Sequence, residues 1–221
     1  MIIRLFLAAA IAILVCSCKD AGTEPSPAPA SPDTTHTWPP YIVRKPNIYL
    51  YPLQKQWTSV EITFPGGGKV LESDPPYGAG WLVEADPNGL INGKFSYLYY
   101  EARVNNLFQF SSGWVVRQDT LADFFSHVLQ SAGFNDKETG DFLEYWPPRL
   151  TSSPFYLVYP QQKEDLEKMI ALRVTPAPDV QLRLTFVIRA AVTENAVLNS
   201  PRLIKAVRHG FTLTEWGVVI E

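Results

Sequence analysis

Three kinds of side chain in this sequence could carry chemistry: acids beside aromatic rings, histidines, and two cysteines one residue apart. Glu101 closes the run Tyr97-Leu98-Tyr99-Tyr100, and Glu215 precedes Trp216. Glycoside hydrolysis needs two carboxyl groups roughly 5–9.5 Å apart, and sugar faces stack on aromatic rings. Glu101 and Glu215 are therefore the candidate pair for a glycosidase-like hydrolase. Against that reading, aromatic residues are favoured in strands and an outward acid on a strand costs little. Nothing in the sequence brings positions 101 and 215 together.

Nucleophilic catalysis needs a Ser or Thr held by a base, usually His. His127 falls on the polar face of an amphipathic pattern and His209 follows Arg208 just before a strand, so both read as solvated, as does His36 in a Pro-rich stretch. Ser111-Ser112-Gly113-Trp114 and Thr151-Ser152-Ser153-Pro154 read as turns, and no Gly-x-Ser-x-Gly elbow is present. There is no His-Glu-x-x-His, and Gly66-Gly67-Gly68-Lys69 lacks the spacing of a phosphate-binding loop. Asp86-Pro87-Asn88-Gly89 offers too few oxygens for Ca²⁺ and reads as a turn. No metal, cofactor or catalytic residue is expected, and no ligand-binding residue is assigned. A binding module asks for less, only an exposed aromatic or apolar patch on a rigid sheet. Tyr97 and Tyr99 share one strand face and Leu98 and Tyr100 the other, so one pair faces outward if only one face is covered.

The elements that would position these residues are legible from periodicity. Lys45-Pro46-Asn47-Ile48-Tyr49-Leu50-Tyr51-Pro52 reads as a short strand whose prolines suit an edge or first position. From Trp57 to Phe64, Val60, Ile62 and Phe64 alternate with Ser59, Glu61 and Thr63, a half-buried antiparallel strand ended by Pro65-Gly66-Gly67-Gly68. Trp81 to Ala85 and Phe95 to Glu101 are further strands around the 86–89 turn. Leu121, Phe124, Phe125, Val128, Leu129 and Ala132 predict an amphipathic helix capped by Asp119 or Thr120 and ended by Gly133. Asn135-Asp136-Lys137-Glu138 resembles a capping box for a second helix stopped by Pro147-Pro148, and 163–170 suggests a third helical turn. In Gln181 to Ala190, Leu182, Leu184, Phe186 and Ile188 share one face while Gln181, Arg183, Thr185 and Arg189 mostly take the other, and Phe211 to Ile220 is the closing strand. Strands, helices, then strands again predict an α+β domain over 41–221, an antiparallel sheet or sandwich with two to three helices packed on one side.

Composition agrees with a folded chain. The 221 residues are 46% hydrophobic and 13% aromatic, which excludes a wholly disordered polymer. With 19 Lys+Arg against 22 Asp+Glu, no basic surplus points to nucleic acid as a partner.

The amino-terminal segment sets location. Arg4 precedes the apolar run Leu5 to Val15, which at about 1.5 Å per residue covers only about half a bilayer's hydrocarbon, so residues 1–17 read as a signal peptide rather than a spanning helix. Val15-Cys16-Ser17-Cys18 resembles the lipobox of bacterial lipoproteins, with an aliphatic residue three before the Cys and a small one directly before it. That resemblance implies diacylglyceryl transfer to the Cys18 sulfur, cleavage after Ser17 and, in many bacteria, acylation of the new amino group with chains such as palmitate. Cys16 fits less well, since Val15 is bulky where a small residue is wanted. An ordinary secretory signal with two incidental cysteines is the alternative. The mature chain would keep no free thiol, hence no disulfide and no Cys nucleophile or metal ligand. Two or three acyl chains, at about 0.8 kcal/mol per buried CH₂, make a membrane anchor that does not detach. Cys18-Lys19-Asp20 partly resembles the surface-export signal of Bacteroidetes lipoproteins, with one acid only. Outer-membrane placement is the expectation, and either face of that membrane stays open.

Residues 18–40 hold six prolines, Pro25, Pro27, Pro29, Pro32, Pro39 and Pro40, among Ala, Ser, Thr and Asp. They read as a tether, able at about 3.1 Å per residue to hold a domain up to roughly 70 Å from the membrane.

Four segments, Lys45 to Pro52, Gly80-Trp81, Tyr97 to Ala102 and Gly210 to Gly217, resemble in this order the landmarks of an uncharacterised bacterial family, across nearly all of 41–221. The chain has Tyr100 where members of that family often have Trp, and its Pro-rich tether is not a family feature. The resemblance implies a shared fold and no mechanism. Together these readings predict a lipid-anchored envelope protein that binds another envelope component, a glycan or a host or environmental ligand, with an envelope hydrolase as the alternative.

Overall fold

The computed structural model describes residues 40–221; the signal segment, Cys18, His36 and the tether up to residue 39 lie outside the described residues. In chain order the elements are β1 (Tyr41–Tyr51), β2 (Gln56–Thr63), β3 (Gly68–Asp74), β4 (Trp81–Ala85), β5 (Leu98–Val104), β6 (Trp114–Arg117), α1 (Leu121–Ala132), α2 (Asp136–Tyr145), β7 (Phe155–Gln162), α3 (Lys163–Leu166), β8 (Ala171–Thr175), β9 (Val180–Ala191) and β10 (Thr212–Ile220). The fold is α+β: a seven-stranded sheet in the order β3-β5-β1-β10-β9-β7-β6, a three-stranded sheet β4-β2-β8, and three helices packed against them. All pairings are antiparallel except β10 with β9.

Side-chain alternation along the central strands builds two cores. Tyr49, Leu182, Leu184, Phe186, Trp216 and Val218 meet Phe125, Leu129 and Phe142 from α1 and α2. On the opposite face, Ile48, Leu50, Tyr100, Leu213 and Val219 meet Val60 and Ile62 of β2, Trp81 and Val83 of β4, and Leu166 of α3. Because both faces of β9 and β10 are covered, Arg183 and Thr185, which alternation assigned to the outer face, are buried beneath the small sheet.

Two devices place the helices. At α1, Thr120 occupies the cap position but makes no side-chain cap bond; Gln118–Thr120 form a 3-10 turn that leads into the helix instead. Gly133 ends α1 at φ 113°, and a Cβ there would stand 2.5 Å from the Ala206 carbonyl oxygen. At α2 the capping box is present, with Asn135 Oδ1 accepting from the Glu138 N–H (2.9 Å) and Glu138 Oε2 accepting from the Asn135 N–H (2.8 Å).

The prolines of the first strand suggested an edge, yet β1 lies inside the large sheet, between β5 and β10. Pro46 is tolerated because pairing breaks around it on both sides: the β10 register stops at Arg44 and resumes at Asn47, and the β5 register stops at Val43 and resumes at Asn47. An interrupted ladder asks for no N–H from proline. Lys45, inside this irregularity, sits at φ 48°.

Candidate functional site

Glu101 and Glu215 do not form a pair. Glu215 is buried on the small-sheet face of β10, where Arg183 Nε donates to its Oε2 at 2.6 Å and the Tyr100 hydroxyl donates to its Oε1 at 2.7 Å. Glu101 follows Tyr100 on β5 and so points to the opposite face, beside Tyr99. The sheet itself separates the two carboxylates, which leaves no water-filled space between them for a glycosidic bond. His127 and His209 are exposed, and the 86–89 segment is a turn closed by the Gly89 N–H donating to the Asp86 carbonyl (2.9 Å). No group of three or more His, Cys, Asp or Glu placed to hold a metal ion is found among the described residues, and no described helix is long and apolar enough to cross a membrane.

What the fold does bring together is the helix-side face of β1 and β5 with the C-terminal half of α2. Tyr97, Tyr99 and Tyr145 surround the Lys45 ammonium, with ring centroids 5.3, 5.5 and 4.7 Å from Nζ. Arg149, in the turn after α2, stacks its guanidinium 3.7 Å from the Tyr145 centroid and donates to the Tyr145 carbonyl at 2.7 Å. Lys45, Tyr97, Asp141, Glu144, Tyr145 and Arg149 line an open cleft of about 230 Å³. Spacing explains why α2 serves it: Asp141, Glu144 and Tyr145 stand at i, i+3 and i+4, one helix face. Lys45 enters from the irregularity in β1, and a left-handed non-glycine residue of that kind costs of order 1–3 kcal/mol and persists where surrounding structure dictates it.

The wall is anchored from below. Asp141 Oδ2 accepts from Lys137 Nζ (2.7 Å) and from the Tyr49 hydroxyl (2.9 Å). Glu138, fully buried on the inner side of α2, accepts from Arg208 (2.8 and 3.0 Å) and from the Thr214 hydroxyl (2.7 Å), while the Trp216 indole N–H donates to the Glu138 carbonyl (3.0 Å). Trp216 packs edge-on against Phe142 at 5.2 Å. The segments 45–52, 97–102 and 210–217 thus act on one place: the first two supply cleft residues and the third fixes the helix that completes it.

Burial and neighbouring carboxylates hold Tyr49, Tyr99 and Tyr100 neutral. Burial, then the Asp141 carboxylate, raises the Tyr49 phenol well above its ordinary value. Burial and the Glu215 carboxylate do the same to Tyr100, and burial with Glu101 and Glu72 to Tyr99. An unfolded chain loses these protons near pH 10, whereas the folded chain keeps them. Their contribution to stability is whole below about pH 10 and declines above it, approaching about 1.4 kcal/mol per pH unit for each fully buried phenol. A series of urea midpoints taken upward from about pH 9.5 should therefore fall, and Y49F, lacking one such group, should fall less steeply; parallel slopes would contradict the assignment.

Compared with family models, curated proteins and solved structures, the chain matches none. Lys45, Asp141, Glu144, Tyr145 and Arg149 were not singled out from the sequence as site residues. Asp141, Glu144 and Tyr145 share one helix face, but that face alone reads as solvated, and Lys45 stands 96 residues before Asp141, so no sequence spacing joins it to α2. The one available cue was the predicted sharing of a face by Tyr97 and Tyr99, which is the face that lines the cleft.

Proposed function

We propose that this chain is a lipid-anchored protein of the bacterial cell envelope, acylated at Cys18 and held off the outer membrane by its Pro-rich tether, whose folded part binds a glycan in the tyrosine-lined cleft. The observation that carries the binding reading is the convergence of the Tyr97 and Tyr145 rings with Lys45, Arg149, Asp141 and Glu144 on one open cleft. Rings offer flat apolar faces, and the charged groups beside them offer donors and acceptors to hydroxyls. Its volume is below the roughly 300–1,000 Å³ of a drug-sized site, so it suits one ring of a longer ligand lying across the surface. The hydrolase alternative loses its support with the separation of Glu101 from Glu215.

Two measurements test this reading. Metabolic palmitate labelling should disappear in C18A, and labelling that persists would refute the anchor. Detergent-solubilised full-length protein should retain oligosaccharides from a glycan array, and Y145A, which removes the ring shared by Lys45 and Arg149, should weaken retention about ten-fold or more, by analogy with stacking losses of roughly 1–3 kcal/mol per ring. Undiminished binding by Y145A would place the site elsewhere.

A further inference from the structure

We infer that the sugar ring taken by the cleft carries an anionic substituent, which Lys45 and Arg149 hold together; this rests on the glycan reading above. Both cations line the cleft, yet neither has a carboxylate within 4.0 Å among the described residues. Lys45 is held by ring faces and by the Tyr97 hydroxyl at 3.4 Å, and Arg149 by the Tyr145 ring and the Tyr145 carbonyl. Ring faces and neutral oxygens orient a cation without cancelling its charge.

The acids of the cleft do not offset this pair. Asp141 spends its Oδ2 on Lys137, its own ion-pair partner four residues back in α2, and on the Tyr49 hydroxyl. Glu144 remains, a single exposed carboxylate against two cations. Arg149 presents a planar fork suited to two oxygens of one group, and Lys45, from β1, a point charge. A carboxylate, sulfate or phosphate ester on a sugar ring is the chemistry common to ligands that would satisfy both while the ring lies on tyrosine.

The test is a titration of the detergent-solubilised full chain with oligogalacturonate, with its carboxyl-reduced neutral counterpart, and with a sulfated oligosaccharide. At least one of the two anionic probes should bind about ten-fold or more tightly than the neutral one, and raised salt should narrow the gap. K45Q and R149Q should each bring the anionic-to-neutral ratio close to one, whereas H127Q, on the exposed face of α1, should leave the ratio as it is. Thermal melting of each variant separates loss of binding from loss of fold, and because K45Q and R149Q alter different walls, either one that stays folded decides the matter. Equal binding of anionic and neutral probes, both weakened by Y145A, would overturn the anionic preference and leave the glycan reading standing. Binding of none of the probes would remove both.

Discussion

Replacing Arg183 by Met should destabilise the fold by about 3–5 kcal/mol, the penalty for stranding one partner of a buried ion pair. Arg183 and Glu215 lie on the paired strands β9 and β10, directly opposite each other in the parallel register, and their side chains are only 1% and 2% exposed. The guanidinium also donates to the Ile170 carbonyl at 2.9 Å, while its Nη2 has no partner. Burial is the largest influence on Arg183 and disfavours its charge, but the Glu215 carboxylate, Tyr100 and Glu167 together outweigh it and raise the Arg183 pKa. Without Arg183, Glu215 would keep only the Tyr100 hydroxyl, too little to solvate a buried carboxylate. E215M should be costly in the same direction, because it strands the guanidinium. R183M/E215M should cost much less than the two single changes together, since removing both charges also removes both desolvation costs. Urea unfolding of the four proteins measures the coupling. Single variants within about 1 kcal/mol of the parent would show that the pair is hydrated rather than sealed.

That pair shows where sequence reasoning reached and where it stopped. Alternation in 181–190 and 211–220 located both strands, and the even-numbered residues of β9 form the helix-side core as expected. The same alternation placed Arg183 on an outer face, because mostly polar residues at every second position are what a half-solvated strand looks like. The three-stranded sheet, whose strands come from distant parts of the chain, covers that face together with α3 and the residues after it. Strand β3 went unread for the opposite reason: Gly68-Lys69-Val70-Leu71-Glu72-Ser73-Asp74 has no buried residue, since it is an edge strand held by backbone pairing to β5. Strands β6, β7 and β8 are short or interrupted by Pro160, and so lack a period to read. Local signals fared best. The Asn135–Glu138 box and Gly133 specify their helix ends through the backbone groups they satisfy, independent of tertiary context. The cleft needs Lys45, Tyr97 and α2 at once, and no local rule links them.

E138A is expected to cost about 3–5 kcal/mol and, unlike the Arg183 change, to reach the cleft. Glu138 does three things from one buried position: it closes the capping box, it pairs with Arg208, and it accepts from Thr214. Asn135 still caps the N–H of residue 138, so only the reciprocal bond to the Asn135 N–H is lost, about 1 kcal/mol, against about 1.5–3 kcal/mol for each charge-assisted hydrogen bond. Arg208 is partly exposed and regains water, which limits the total, but the Thr214 hydroxyl is left buried without its acceptor. E138Q separates these parts. A glutamine at the third helical position still reaches back to the Asn135 N–H, so E138Q should retain the cap, lose the charge and fall between the parent and E138A. Hydrogen exchange of the Trp216 indole N–H, bonded to the Glu138 carbonyl, reports the junction directly and should accelerate more in E138A than in E138Q. Asp141, Glu144 and Tyr145 ride on the same helix, so E138A should also weaken retention of an anionic oligosaccharide at temperatures where the fold persists. A variant that exchanges the indole proton as slowly as the parent would show that α2 is held by Phe142 and its apolar neighbours alone, with Glu138 serving only the cap.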